Sequence, residues 1–202
     1  DIPFADAKRA IAIVGNELAD DIPWEMEEAI FDHALLPAPV NKVLAAVVRS
    51  ADVRTLLDRL EAKGIDPRAL AVAPVSYAAL VRRIDPTGTV LVVDLGHQRT
   101  NVALVEAGRT LAARTLSRAG HQLTEEFRRT YQLPYAEAEE LKEAEAVLVL
   151  EEELGDDHAG YAGATARAMA PLLREIRFTH GLFGTRLGTK VDRVLLCGGT
   201  SL

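Results

Sequence analysis

Asp94, Gly96 and Thr100 sit together where one apolar run ends and the next begins, inside TVLVVDLGHQRTNVALVEAGRTLAARTLS, from Thr89 to Ser117. The chemistry these types offer is phosphate handling. Gly96 lacks a Cβ, so a phosphate can approach the main chain closely. Asp94 at a strand end can hold a hydrated Mg²⁺ or orient a water, and the Thr100 hydroxyl can donate to a phosphate oxygen. The same residues also suit a plain turn, as Asp-x-Gly often does. A second loop of this kind comes much later. Gly198, Gly199, Thr200 and Ser201 follow the apolar run VDRVLLC. Two glycines and two hydroxyls after a buried strand let a flat ring or a phosphate lie against backbone.

Other reactive types carry less. Cys197 is the single cysteine, which excludes an intrachain disulfide and fits a reducing compartment. Its apolar neighbours make it a small core residue. His33, His97, His121, His158 and His180 show no paired metal-ligand spacing. Ser117 and His121 are near each other without a G-x-S-x-G elbow, which argues against hydrolase chemistry. GHQRTNVALVEAG lacks dinucleotide-fingerprint spacing and runs into a strand. Glu137, Glu139, Glu140, Glu143, Glu145, Glu151, Glu152 and Glu153 read as a solvated acidic face rather than a metal site. Trp24 beside Pro23 reads as core or a partner contact, and Phe178, Leu182 and Phe183 as core.

The elements that must position these residues alternate between helix and strand, which is the α/β class. Ala7, Ala10, Ile11, Val14, Leu18 and Ile22 have helical spacing, and Pro23 stops them. AIFDHALL and KVLAAVV read as strands across a proline-containing loop from Pro37 to Asn41. Ser50 is the expected cap of a helix, ADVRTLLDRLEAKG, that ends at Gly64. PRALAVAP reads as a strand and VSYAALVRRI as a helix. DPTG, from Asp85 to Gly88, reads as a turn and a lobe boundary. Three strand runs follow, the last two joined at Gly108. Then come a helix in GHQLTEEFRRTYQ, another after Pro134, a long helix that Pro171 should bend, and a buried strand in VDRVLLC.

With 202 residues, 49% of them hydrophobic and 26% charged, the chain can bury a real core as one domain or two small lobes. Its net charge of −7 comes with no Lys/Arg cluster beyond Arg82-Arg83 and Arg128-Arg129, which argues against a nucleic-acid surface. No apolar run approaches the ~20 residues of a membrane span, and no signal peptide is visible. The start at Asp1 without Met and the stop at GGTSL read as a fragment of a longer protein.

Several segments resemble a known family. VLVVDLGHQRTNVALVEAGRTLAARTLSRAGHQLTEEF resembles the second phosphate segment of the actin-like ATPase superfamily, and DRVLLCGGTSL its adenosine segment. Within that superfamily the closer resemblance is to the PilM/GspL family of type IV pilus assembly and type II secretion. It rests on four segments: ELADDIPWEMEEAIFDH; VLAAVVRSADVRTLLDRLEAKGIDPRALAVAP; GHQLTEEFRRTYQLPYAEAEELK, with Tyr135, Ala138, Glu139 and Lys142; and GGTSL.

The resemblance implies an actin-like, ribonuclease H-like α/β fold that lacks the N-terminal first phosphate hairpin and the C-terminal end. Residues 1–86 would be the remainder of a first lobe with the family's insertion subdomain, and residues 87–202 a second lobe. Asp94, Gly96 and Thr100 would lie at the β- and γ-phosphates of ATP, with Asp94 reaching Mg²⁺ through water. Gly198, Gly199 and Thr200 would lie by adenine and ribose, and Gly120 before the helix that borders the nucleotide. His97-Gln98-Arg99 is bulky where small residues are usual, and Ala119 replaces a common glycine.

The implied function is a cytoplasmic scaffold at the inner face of the bacterial inner membrane. Its partners would be inner-membrane subunits and the motor ATPase of the machine, and membrane association would come through partners or a segment outside residues 1–202. Partner peptides would add a strand to a sheet edge or lie in a groove between lobes. An actin-fold kinase or ATPase and an actin-like filament protein are the competing functions.

Overall fold

The computed structural model describes residues 7–36, 42–84, 87–148 and 159–201. Of the expected features, the loop of residues 37–41, residues 85 and 86 of the turn, the acidic residues 151–153, and His158 lie outside them. The chain forms two compact units, Asp1–Val72 and Ala73–Leu202. The turn that ends at Gly88 therefore falls within the second unit.

In the first unit, helix α1 (Ala7–Asp21) and a 3-10 turn (Met26–Glu28) precede strands β1 (Ala29–Leu35) and β2 (Val43–Arg49). The strands pair antiparallel from Ala29 opposite Arg49 to Leu35 opposite Val43. The Arg49 guanidinium holds Glu28 Oε2 at 2.7 and 2.9 Å. Helix α2 (Ser50–Glu61) starts without the expected Ser50 cap. Strand β2 runs into the helix with no loop, so Arg49 keeps extended backbone and takes the cap position, with no side-chain cap bond. At the other end Gly64 adopts φ +71°, and the Gly64 and Ile65 amides donate to the carbonyls of Glu61 and Leu60. That is the left-handed closure expected of a glycine there.

PRALAVAP is not a strand: residues 65–72 carry no regular structure. A strand needs a neighbour for its amides and carbonyls, Pro67 and Pro74 each lack a donor, and Leu70 is exposed.

The second unit begins with helix α3 (Ala73–Ile84), then strands β3 (Thr89–Leu95), β4 (Thr100–Glu106) and β5 (Arg109–Leu116). Helices α4 (Gly120–Tyr131), α5 (Tyr135–Glu145) and α6 (Ala159–Leu187) lead to strand β6 (Arg193–Cys197). The sheet order is β5-β4-β3-β6. Strand β4 is antiparallel to both neighbours, whereas β6 runs parallel to β3. A parallel neighbour requires a crossover, here supplied by the helices. Between β4 and β5, Ala107 (φ 47°) and Gly108 (φ 70°) both turn left-handed, the conformation that matches the twist of a tight hairpin.

Strand β3 is the centre of the core. Val90 and Val92 pack with Val81 of α3 and Val105 of β4, and Tyr77, Leu195 and Cys197 line that cluster. Leu123, Phe127, Ala138 and Ala164 join α4, α5 and α6 in a second one. Helix α6 is continuous across Pro171. Two expectations of burial fail. Phe178 is 64% exposed, its ring lying 5.7 Å from the Arg114 guanidinium. On β6, Val194 and Leu196 are exposed while Leu195 and Cys197 turn toward the core. A strand with one paired neighbour and one covered face alternates rather than burying every residue.

Candidate functional site

Strands β3 and β6 run the same way and finish side by side, with Asp94 opposite Cys197. Loops at the carboxyl ends of parallel strands are where open α/β sheets hold ligands. Here two such loops and the start of α4 meet at one carbonyl. The Gly96 oxygen accepts from the Gly120 amide at 2.9 Å and from Thr200 Oγ1 at 3.0 Å. The Thr200 amide donates to Leu95 O at 2.9 Å, and the His121 amide to His97 O at 2.6 Å.

The glycines are what allow this approach. A Cβ on Gly120 would fall 2.3 Å from Thr200 Oγ1, and one on Gly96 2.8 Å from Arg99 O. Gly198 has φ +96°, and its Cβ would stand 2.5 Å from both Asp94 Oδ1 and Leu95 O. Gly199 faces open space. Ala119 needs no glycine: its backbone is extended, and its amide donates to Gln122 Oε1 at 2.6 Å.

Asp94, Gly96, Gly120, Gly198, Gly199 and Thr200 thus share one corner. Thr100 differs from its expected role. It is wholly buried, and its hydroxyl donates to Arg118 O at 2.8 Å, closing β4 against the segment that leads into α4.

Asp94 is held by residues the sequence reading did not single out. Its Oδ2 accepts from the Tyr77 hydroxyl and, at 3.3 Å, from Asn101 Nδ2. Burial pushes the Tyr77 phenol well above its ordinary range, and the bond to Asp94 adds to the rise. Burial, then the Asp94 charge, raises the Cys197 thiol. Both neighbours therefore keep their protons beside an acidic group.

A second cluster explains how the bulky turn fits. The Tyr135 hydroxyl lies 3.0 Å from His97 Nε2 and 2.9 Å from His121 Nδ1. His97 Nδ1 is 3.6 Å from Glu139 Oε1. Glu139 also accepts from Lys142 Nζ at 2.5 Å and from Thr124 Oγ1. Burial raises the Glu139 carboxyl, but the bonds from Lys142 and Thr124 outweigh it and hold it below the ordinary value. The signal was present in the sequence: Tyr135, Glu139 and Lys142 fall at i, i+4 and i+7, one face of a helix.

Among the described residues nothing accepts from the amides of His97 and Gln98, at the tip of the turn. Unclaimed turn amides, a carboxylate and open backbone at Gly199 form a donor set that fits a phosphate with a hydrated divalent cation.

A family model described as type IV pilus assembly protein PilM matches residues 11–202. The chain is similar to the solved PilM-PilN type IV pilus biogenesis complex, with 27% identity and a TM-score of 0.77 over 99% of this chain. It spans 58% of that protein's length. The MamK double helical filament is 18% identical, with a TM-score of 0.56 over 76% of this chain and 53% of MamK. MreB5 of Spiroplasma citri, solved bound to AMPPNP, is 17% identical, with a TM-score of 0.50 over 72% of this chain and 52% of its own. The fold is therefore actin-like.

Proposed function

Because the chain belongs to the family of the type IV pilus assembly protein PilM, we propose that it is the actin-like scaffold of a type IV pilus platform, holding partner proteins and a nucleotide. The observation that carries the assembly role is the likeness, over nearly the whole chain, to a protein solved together with PilN. By that likeness the first partner is a PilN-type inner-membrane subunit, with the motor ATPase of the machine as a second. No helix among the described residues is long and apolar enough to cross a membrane; recruitment to the inner face of the inner membrane would come through these partners or through a segment outside residues 1–202. In the first unit β1 offers a strand edge for an incoming peptide, and Ile30 and Leu35 on it are 48% and 45% exposed.

The nucleotide role rests on the meeting of Asp94, Gly96, Gly120, Gly198, Gly199 and Thr200 at one corner. The His97 and Gln98 amides would cradle phosphate oxygens, and Gly199 would leave room for the adenosine end. Asp94 would hold Mg²⁺ through water. The cation, when bound, neutralises phosphate charge. ATP is read as a ligand that shapes the scaffold more than as a substrate.

The test is calorimetry of the full-length protein with Mg·ATP and with a PilN-type peptide. Binding of both is expected, with Asp94→Ala weakening Mg·ATP about tenfold or more and leaving the peptide unaffected. Absence of peptide binding would overturn the assembly role, and absence of ATP binding the nucleotide role.

A further inference from the structure

We propose that Tyr77 is a positioning residue that decides which oxygen of Asp94 is offered to a cation. The inference rests on the nucleotide reading above and assigns a new residue to that site.

The geometry is a chain of three oriented groups. Thr115 Oγ1 donates to Asn101 Oδ1 at 2.8 Å. That bond fixes the amide, so Asn101 Nδ2 faces the other way, 3.3 Å from the Tyr77 hydroxyl and 3.3 Å from Asp94 Oδ2. With Asn101 donating to it, the Tyr77 oxygen sends its own proton to Oδ2. Tyr77 is therefore the donor, and Oδ2 is occupied.

Only Oδ1 remains. Among the described residues it accepts no hydrogen bond, and it lies 2.5 Å from where a Cβ on Gly198 would stand. The carboxylate is thus held edge-on, one oxygen locked toward α3 and the other turned to the loop after β6. A hydrated Mg²⁺ needs a single, correctly aimed oxygen to accept from one of its waters. Partners that orient such a ligand matter nearly as much as the ligand itself. Tyr77 is held in turn by its ring, which packs beside Val81, Val90, Val92 and Val105. Helix α3 follows directly on the boundary between the two units, so a shift of α3 would be felt at Asp94 through one hydroxyl.

Tyr77→Phe keeps the ring and removes the donor. In the full-length protein, ATP affinity is measured by calorimetry across a series of Mg²⁺ concentrations and in EDTA, with the melting temperature as a control. The expected result is that the Mg²⁺ midpoint rises about tenfold, while ATP affinity in EDTA is unchanged. Asn101→Ala should move the midpoint the same way by less, and it carries the test if Tyr77→Phe does not fold. An unchanged midpoint in a folded variant overturns the inference. So does an equal loss with and without Mg²⁺, which marks a merely structural role. Wild-type protein that binds no ATP in either condition overturns the nucleotide reading and this inference with it.

Discussion

Gly120→Ala tests the packing at the shared carbonyl. The added methyl would stand 2.3 Å from Thr200 Oγ1 and 3.2 and 3.3 Å from its Cγ2 and Cβ. The clash is with a side chain, so Thr200 rotates away and loses its bond to Gly96 O. Losing that bond costs about 1 kcal/mol, and the displaced methyl in a filled corner about 1–2 more. Gly120 is the first residue of α4, so the helix gains little from alanine. The single variant should lose about 2–3 kcal/mol. Thr200→Ala alone should lose about 1 kcal/mol, the bond without the crowding. The double variant removes what the methyl strikes, and should also lose about 1 kcal/mol. The cycle therefore predicts about 2–3 kcal/mol of non-additivity, read as the difference in melting temperature among the four proteins, at roughly 2–4 °C per kcal/mol. Additive losses would refute the claim that Gly120 is glycine because of Thr200.

Two further outcomes are expected. Lys142 is 8% exposed and paired with Glu139, so Lys142→Met should cost about 2 kcal/mol at neutral pH, less than a fully buried pair because Glu139 is 26% exposed. The folded Glu139 carboxyl sits below its ordinary value, so its contribution is present above about pH 4.3 and is lost as pH falls through the folded value. Stability of the wild type measured against pH should show that acid loss, and the Lys142→Met curve should be flatter there. Thr100→Val keeps the shape of a buried residue and leaves Arg118 O without its donor. It should destabilise by about 1–2 kcal/mol and change Mg·ATP affinity less than twofold, with calorimetry as the check.

The three apolar runs and the glycine turn were legible as β3, β4 and β5 because a central strand is apolar throughout and the tight hairpin demands a left-handed residue. PRALAVAP misled because composition does not show whether a strand has a neighbour, and two prolines weigh against one. Thr100 misled because spacing places a hydroxyl on a strand but not on a face. The corner itself was legible as two glycine loops, yet its orientation was not. Tyr77 reaches Asp94 from a helix whose sequence is ordinary, and the two meet only through the packing of α3 on β3 and β4. His97 looked like an awkward substitution until α5 supplied Tyr135 and Glu139 to receive it.

The hairpins β3-β4 and β4-β5 join near neighbours and can close as soon as they exist. The Gly96 carbonyl is different, since Thr200 lies 104 positions further along the chain. At synthesis rates of about 5–20 residues per second, the sheet's first three strands wait several seconds for β6 and the loop that finishes the corner. The corner therefore closes only after the sheet's first three strands have formed, and a ribosome-bound chain carries the two hairpins with the corner still open.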